Sequence, residues 1–314
     1  MARMGLSPFL STMRGNSPLA TVAWTPTVAF LCEGKQRNGR FVLLTVKHDL
    51  RSDAACKDGV VIRHLADLHI GSPNCDVSMI KHLVAENVEN HWFCCLGGDI
   101  LDVGLKSSKS DCYTQTMTIN KALDKAYKLL KPLADAGLIL GAVQGNHENR
   151  LTRDAGLDLT YQLMCRFGLE ELYNPNSVLA VIRVGKRRDA LRKSKKGSVR
   201  RDIAYTYVVH LTHGHGGGTT PGGRANALTR ARLKIDADVY LQGHTHHSDV
   251  QLGSCLRVNR SSASVSQIEQ VFVCCGSCLT YDDSYGEAMN LSPSDNRFPR
   301  VFLSGTEHHV EATL

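Results

Sequence analysis

The sequence lacks a hydrophobic run of the roughly 20 residues that a membrane-spanning helix needs. Its most apolar early stretch, residues 20–32, is broken by Pro26 and carries no clear cleavage site for a signal peptide. There is also no internal repeat, and the glycines at 216–218 are not followed by the lysine of a Walker-type phosphate loop. We therefore expect a cytoplasmic protein that makes no contact with membranes.

Paired-cysteine patterns are scarce as well, although the chain has 11 cysteines. The count is odd, and most of them lie in apolar contexts such as Cys94 and Cys95, which indicates buried free thiols rather than a disulfide framework. Cys274, Cys275 and Cys278 resemble half of a zinc site, but no second pair with ligand spacing follows them. We expect these thiols to serve packing.

Residues 1–57 are predicted to form an N-terminal extension to which we assign no function. Proline and glycine punctuate it, and two β-branched runs, 27–32 and 41–46, flank the turn dipeptide Asn38-Gly39, which predicts a hairpin or partial disorder. From residue 58 to 314 we expect one domain, because strand-like and helix-like periods alternate. Predicted strands cover 60–67, 92–96, 138–143, 178–184, 205–211, 238–241, 255–258, 271–274 and 300–303. Predicted helices cover 76–87, 114–136, 158–167 and 224–235.

Five short polar clusters each follow an apolar run in that domain. They are Asp-Leu-His at 67–69, Gly-Asp-Ile-Leu-Asp at 98–102, Gly-Asn-His-Glu at 145–148, His-Gly-His at 213–215 and Gly-His-Thr-His at 243–246. Residues i and i+2 of an extended chain share a face, so the two Xaa-x-His pairs can each aim two ligands in one direction. Carboxylate, imidazole and amide oxygen are ligands of divalent metal pairs. Singly the clusters are weak signals; together they predict a two-metal hydrolase.

In these clusters and their order, the chain resembles the calcineurin-like metallophosphoesterases over residues 60–247. The resemblance implies an α/β fold of two packed mixed β-sheets flanked by helices. It also implies two metal sites joined by Asp99, with His147 contacting the phosphate and protonating the departing oxygen. The ligands implied for one metal are Asp67, His69 and His246, and those for the other are Asn146, His213 and His244.

Two divalent cations and two carboxylates leave a net charge of about +2, which suits a phosphate anion. The implied reaction is attack on phosphorus by a metal-bridging hydroxide, with Asp99 and His147 as the catalytic residues. We expect Mn²⁺, with Fe, Zn and Mg²⁺ as alternatives.

Three neighbours have roles that the sequence leaves open. Asp102 either orients a ligand or caps a turn. Arg150 either contacts phosphate or forms a surface ion pair. His215 is expected to face the substrate, since the resemblance assigns the ligand role to His213.

Two features of the sequence bear on the substrate: a missing arginine and a cluster of basic residues. Protein Ser/Thr phosphatases of the family have an arginine where this chain has Val103. We therefore favour a phosphodiesterase or nuclease that acts on nucleic acid or nucleotides. The alternative is a phosphomonoesterase or protein phosphatase, and a non-catalytic scaffold is a remote alternative. A basic insertion, 185–201, has nine basic residues and one acid, which leaves the rest of a chain of net charge +7 nearly neutral. This insertion is either a solvated loop or a segment that binds a nucleic-acid backbone through Lys186, Arg187 and Arg188. It has no aromatic residue that could stack on bases.

Overall fold

Two mixed β-sheets and five α-helices form the part of the chain that the computed structural model describes, residues 43–106, 112–186, 204–216, 220–282, 284, 287, 290, 292–293 and 295–314. The strands are β1 (Leu44–Asp49), β2 (Gly59–Leu65), β3 (Phe93–Leu96), β4 (Ile139–Ala142), β5 (Ser177–Val184), β6 (Tyr205–Thr212), β7 (Val239–Gln242), β8 (Asp249–Asn259), β9 (Ser264–Cys274), β10 (Arg300–Ser304) and β11 (Val310–Thr313). The helices are α1 (Val77–Glu89), α2 (Ile119–Asp135), α3 (Asn146–Ala155), α4 (Leu159–Phe167) and α5 (Pro221–Thr229). The predicted fold class is confirmed.

The five-stranded sheet has the order β11-β10-β2-β3-β4. Its last three strands are parallel, whereas β10 runs antiparallel to both β2 and β11. Every residue of β3 and β4 is buried, as expected for parallel strands covered on both faces. The carboxyl ends of β2, β3 and β4 therefore meet at one edge, and the first three polar clusters follow them there.

The six-stranded sheet has the order β1-β5-β6-β7-β9-β8. β5 and β6 are antiparallel, while β6, β7 and β9 run parallel. The last two polar clusters follow β6 and β7. Gly185 and Lys186, which follow β5 and begin the basic insertion, consequently lie near the opposite end of β6 from His213.

One apolar core lies between the sheets. Alternate residues of β5 point into it, as do the buried faces of the helices; from β5 these are Val178, Ala180, Ile182 and Val184. A smaller apolar cluster packs α5 against β7 and β9, where Tyr240 and Phe272 stack at 4.6 Å. His48 of β1 also links the sheets, because its Nε2 lies 2.8 Å from the Leu140 carbonyl of β4. Burial lowers the pKa of His48 to about 4, so the ring is neutral and donates this hydrogen bond.

Four predicted elements need correction. Helix α2 begins at Ile119 rather than 114, because the Thr118 hydroxyl accepts from the Lys121 N–H and ends the preceding loop. Helix α5 begins at Pro221, a favoured first helical residue, and gives way to the 3₁₀ turn Arg230–Leu233. The predicted strands 255–258 and 271–274 are the ends of a longer hairpin, β8–β9, whose outer half is exposed. Helix α3 and strand β11 were not predicted.

The segment assigned to the N-terminal extension contains β1, which pairs in parallel with β5. Its residues 44–46 belong to the second strand of the predicted hairpin, and the first strand of that hairpin lies outside the described residues. The ten described cysteines are all unpaired, and six of them are buried, which confirms the expected free thiols. A search of the described residues finds no helix with the length and apolar character to span a membrane.

Candidate metal centre

The five polar clusters converge at the edge where β2, β3, β4, β6 and β7 end. All seven expected metal ligands take part: Asp67, His69, Asp99, Asn146, His213, His244 and His246. They form two groups, each of which gathers donors from different loops. This convergence is what the order of the clusters predicts.

The first group consists of Asp67, His69 and His246, whose donor atoms lie within 4.8 Å of one another. His69 Nε2 and His246 Nε2 face each other at 3.1 Å, and His246 Nε2 lies 3.4 Å from Asp67 Oδ1. Asp67 is completely buried, yet its Oδ1 accepts no hydrogen bond from any described residue. A buried carboxylate oxygen without a donor is costly, so these residues fit a divalent cation.

The second group consists of Asp99, His213 and His244, with the amide oxygen of Asn146 among them. Asn146 Oδ1 lies 2.9 Å from His213 Nε2 and 2.7 Å from His244 Nδ1, and His213 Nε2 lies 3.3 Å from Asp99 Oδ2. His213 Nδ1 meets the Gly97 carbonyl at 2.8 Å. Because that carbonyl only accepts, Nδ1 carries the proton in the neutral ring and Nε2 is left for a metal.

In the second group, the carboxylate of Asp99 and the imidazolium of His213 stabilise each other's charge. Burial opposes the ionisation of both Asp99 and His213, but each favours the charged form of the other. The pKa of Asp99 is consequently far below its usual range, and the pKa of His213 is raised. A divalent ion would take the place of the imidazolium proton beside this carboxylate.

Close backbone approaches hold the loops together, and they require glycine at two positions. A Cβ on Gly145 would lie 2.0 Å from the Asp99 nitrogen, and one on Gly243 would lie 2.5 Å from Asp67 Oδ2. Gly243 lets the next residue, His244, donate its N–H to Asp67 Oδ2 at 2.9 Å. This bond ties a ligand of the second group to the first.

Helix α3 and Glu148 fix the loop that carries Asp99. The His147 N–H, in the first turn of α3, donates to Asp99 Oδ1 at 2.8 Å, where the helix dipole also favours the carboxylate. Glu148 is fully buried and accepts from the N–H groups of Asp99, Leu101 and Gly145 at 3.1, 2.9 and 3.1 Å. The sequence placed Glu148 in a cluster but gave it no role; the structure shows that it holds the loop that carries Asp99.

His147 stands beside both groups and is oriented by Asp102. Its Nδ1 lies 2.5 Å from Asp102 Oδ1, and its Nε2 lies 3.9 Å from Asp99 Oδ2. Asp102 Oδ1 is also 3.8 Å from His69 Nδ1, and Oδ2 accepts from Gln115. Of the two roles that the sequence left open for Asp102, these contacts fit the orientation of a ligand and not the capping of a turn.

Arg150 also lies at the centre, because it is within 3.1 Å of His147 Nε2 and donates to the Val103 carbonyl.

The backbone at the centre is strained. Eight described non-glycine residues have positive φ, and five of them are expected ligands: Asp67, His69, Asp99, His244 and His246. Left-handed conformations of this kind persist where the surrounding structure enforces them, and they concentrate at functional sites.

The remaining expected site residues lie outside the two groups. His215 is exposed and lines a groove beside Gly243, together with Arg224 and His247. Lys186 lies 3.7 Å from Asp58, which precedes the amino end of β2, so the start of the basic insertion is remote from the centre. Arg187 and Arg188 lie outside the described residues.

Comparison with known proteins adds little by sequence: no family model matches the chain, and no curated protein matches it. Among solved structures, one match is a conserved uncharacterised protein from Streptococcus pneumoniae TIGR4, described as a predicted phosphoesterase. The identity is 13%, the TM-score is 0.33, and the match covers 81% of this chain and 88% of the other.

Two further matches are similar in quality. A double mutant of Vps29 from Entamoeba histolytica has 12% identity and a TM-score of 0.36, over 81% of this chain and 97% of the other. GAP50, described as the anchor in the inner membrane complex of Plasmodium, has 12% identity and a TM-score of 0.38, and the match covers 82% of this chain and 84% of the other. At these scores the likenesses carry no argument about activity.

Proposed function

We propose that this chain is a hydrolase of phosphoester bonds that depends on two divalent metal ions, and that its substrate is a phosphodiester of a nucleotide or nucleic acid. The observation that supports the proposal is the arrangement of donors from five strand ends in two adjacent groups, with a wholly buried carboxylate oxygen left without a donor. Binding of one structural ion would not require two such groups.

Asp67, His69 and His246 would hold one ion, and Asn146, His213 and His244 would hold the other, with Asp99 between them. When bound, such ions supply an activated water near neutral pH and offset negative charge on a phosphoryl group. Manganese suits these ligands, as do iron, zinc and magnesium to different degrees.

His147 is proposed to protonate the departing oxygen. Arg150 has only donors, so the His147 Nε2 that faces it accepts, and Nδ1–H donates to Asp102. This fixes the tautomer and aims Nε2 toward Asp99. When the Arg150 guanidinium turns to a bound phosphate, Nε2 becomes free to take up a proton and pass it to the leaving group.

The groove beside Gly243 supports a substrate that extends beyond one phosphate. Arg224, His215 and His247 line it, and Ala227 and Leu228 give it an apolar wall. A nucleotide offers both a further anion and an apolar base to such a surface. A small phosphomonoester would not reach it.

We expect the purified protein to contain at least two metal equivalents and to hydrolyse bis-p-nitrophenyl phosphate in the presence of Mn²⁺. A chelator should abolish the activity and Mn²⁺ should restore it, because the ligands alone provide no nucleophile. The panel should include p-nitrophenyl phosphate, cyclic nucleotides, single-stranded and duplex DNA, and a phosphopeptide.

Preference for the monoester or the phosphopeptide would identify a phosphomonoesterase or protein phosphatase and contradict the substrate proposed here. A protein without bound metal and without chelator-sensitive hydrolysis would be a binding scaffold, and the whole proposal would fail.

The basic insertion gives a prediction that depends on substrate length. β6 has eight residues, so at about 3.4 Å per residue its two ends lie about 27 Å apart, the rise of about eight base pairs. Replacing residues 187–200 with a short Gly-Ser linker should weaken hydrolysis of long duplexes and flatten its salt dependence. Shorter duplexes and bis-p-nitrophenyl phosphate should be unaffected, as measured by kcat/KM at several salt concentrations.

A matched variant with Lys193, Lys195 and Lys196 replaced by glutamine keeps the length of the loop and should show the same trend, though weaker. An equal loss on the small diester would mean that the insertion supports folding rather than nucleic-acid binding.

A further inference from the structure

Four groups of metal-ligating side chains occur among the described residues, and one of them lies far from the candidate metal centre. It consists of Asp53, Cys56 and His91, whose donor atoms lie within 4.8 Å of one another; we name it the Cys56 cluster. Asp53 and Cys56 belong to the turn before β2, and His91 lies between α1 and β3. The cluster therefore sits at the amino ends of the two strands whose carboxyl ends carry Asp67 and Asp99. The seven residues of β2 put about 23 Å between these ends.

The donor set suits zinc. It offers one thiol sulfur, one imidazole nitrogen and one carboxylate oxygen, which are the ligand types of zinc sites. Asp53 Oδ2 and His91 Nε2 are 2.9 Å apart. Around a tetrahedral ion with bonds of about 2.1 Å, two such atoms lie about 3.4 Å apart. Binding would then require a shift of about half an ångström between side chains that are each one-fifth exposed.

The surroundings hold each donor in place. Asp53 Oδ1 accepts from the Ala55 N–H at 2.9 Å, which leaves Oδ2 facing the cluster. The His91 ring makes an edge contact with Phe93 at 5.4 Å. His91 is itself one of the eight non-glycine residues with positive φ, so six of those eight belong to the catalytic centre or to this cluster.

Cys56 is 1% exposed, and its thiol faces a carboxylate. Burial raises the pKa of Cys56 and the charge of Asp53 raises it further. Without a cation, the thiol keeps its proton and hydrogen-bonds the Asp53 carboxylate. A divalent ion would reverse this relation, because both would then bind the same positive charge and the thiol would lose its proton.

We propose that Asp53, Cys56 and His91 bind one zinc ion, with water as the fourth ligand, and that this site fastens the turn before β2 to the connection between α1 and β3. The ion takes no part in hydrolysis. It joins segments that are almost forty positions apart in the chain, and β1 lies directly before the first of them.

Cobalt(II) provides the test, because a thiolate ligand gives it a near-ultraviolet charge-transfer band that nitrogen and oxygen ligands do not. The expected ligands of the catalytic centre are all nitrogen or oxygen donors. The full-length metal-free protein, titrated with Co²⁺, should reach by three equivalents the band intensity of one thiolate-bound Co²⁺ per chain, and Zn²⁺ should remove it. Total zinc should then approach three equivalents rather than two.

Cys56→Ser should eliminate the band. Cys275→Ser is the matched control, since Cys275 is equally buried and its sulfur lies 4.0 Å from Asp67 Oδ2 in the catalytic centre; the band should survive this change. His91→Gln alters a more exposed side chain and should weaken Co²⁺ binding at least about tenfold while circular dichroism confirms the fold. A wild-type protein without the band, a band that persists at full strength in Cys56→Ser, or a Co²⁺ affinity of His91→Gln equal to that of the wild type would overturn the proposal.

Discussion

Replacement of Asp99 with asparagine is expected to abolish hydrolysis and to release at least one of the two metal equivalents. Asparagine keeps an oxygen for the His147 N–H but removes the charge that lies 3.3 Å from His213 Nε2. Since the proposed role of Asp99 is to bind both ions, its loss should exceed the roughly 10- to 100-fold effect of losing an outer partner of a ligand. Metal analysis and kcat/KM for bis-p-nitrophenyl phosphate measure the two effects.

Asp135→Asn is the control, because Asp135 is an exposed aspartate at the end of α2 that forms an ion pair with Lys131, one turn away. It should bind metal and turn over like the wild type. An Asp99→Asn protein that binds as many metal equivalents as the wild type and keeps more than a tenth of the activity would contradict the proposed bridging role.

The second large effect is expected for His147→Ala, which should retain metal but slow turnover by about 100- to 10,000-fold on a diester with an alkoxide leaving group. His147 is not one of the seven expected ligands, although its ring lies in a group with His69 and Asp102, and its Nδ1 contacts Asp102 at 2.5 Å. In the proposed mechanism the change therefore removes a proton donor and no ligand. The effect should be much smaller with p-nitrophenolate, which leaves without protonation. The test measures the turnover of both substrates by the variant and the metal content of the variant.

Asp102→Asn should reproduce part of this effect, because the ring would lose the acceptor that fixes its tautomer. His82→Ala, an exposed histidine on α1, serves as the control and should change nothing. Unchanged turnover of the alkyl diester by His147→Ala would remove this residue from the reaction.

The candidate centre could be anticipated from sequence because its donors occupy strand ends. Asp67, Asp99 and Asn146 each follow a short buried run, and parallel strands bring such positions to one edge. The role of Glu148 could not be anticipated in the same way. A glutamate at the third position of a helix is a known capping signal, but two of the three N–H groups that it binds belong to the Asp99 loop, more than forty positions earlier.

Strands were predictable from the sequence where burial of one face gives a periodic hydrophobic pattern. They were not predictable where only hydrogen bonds to a neighbouring strand hold them. β5 alternates buried and more exposed residues and was found within one residue of its limits. The outer half of the β8–β9 hairpin has no buried face, so Leu252 and Leu256 remain exposed and the hydrophobic pattern is weak. Likewise, the parallel pairing of β1 with β5 joins residues more than 130 positions apart and leaves no local signal.

The Cys56 cluster escaped prediction for a related reason. Cys56 was interpreted as an apolar thiol and Asp53 as part of an extension without function, and the distance to His91 in the sequence hides their contact. Spacing identifies a metal site only when its ligands lie close together in the chain or follow a known order.

If the expected ligands with positive φ bind the two proposed ions, their left-handed backbone would make the stability of the chain depend on its metal supply. Each costs of order 1 to 3 kcal/mol, and five of them together approach the 5 to 15 kcal/mol that separates a typical folded domain from its unfolded chain. Ions that bind only the native state would return that free energy by mass action. A cell short of these ions would then hold less folded protein, and not merely less active protein.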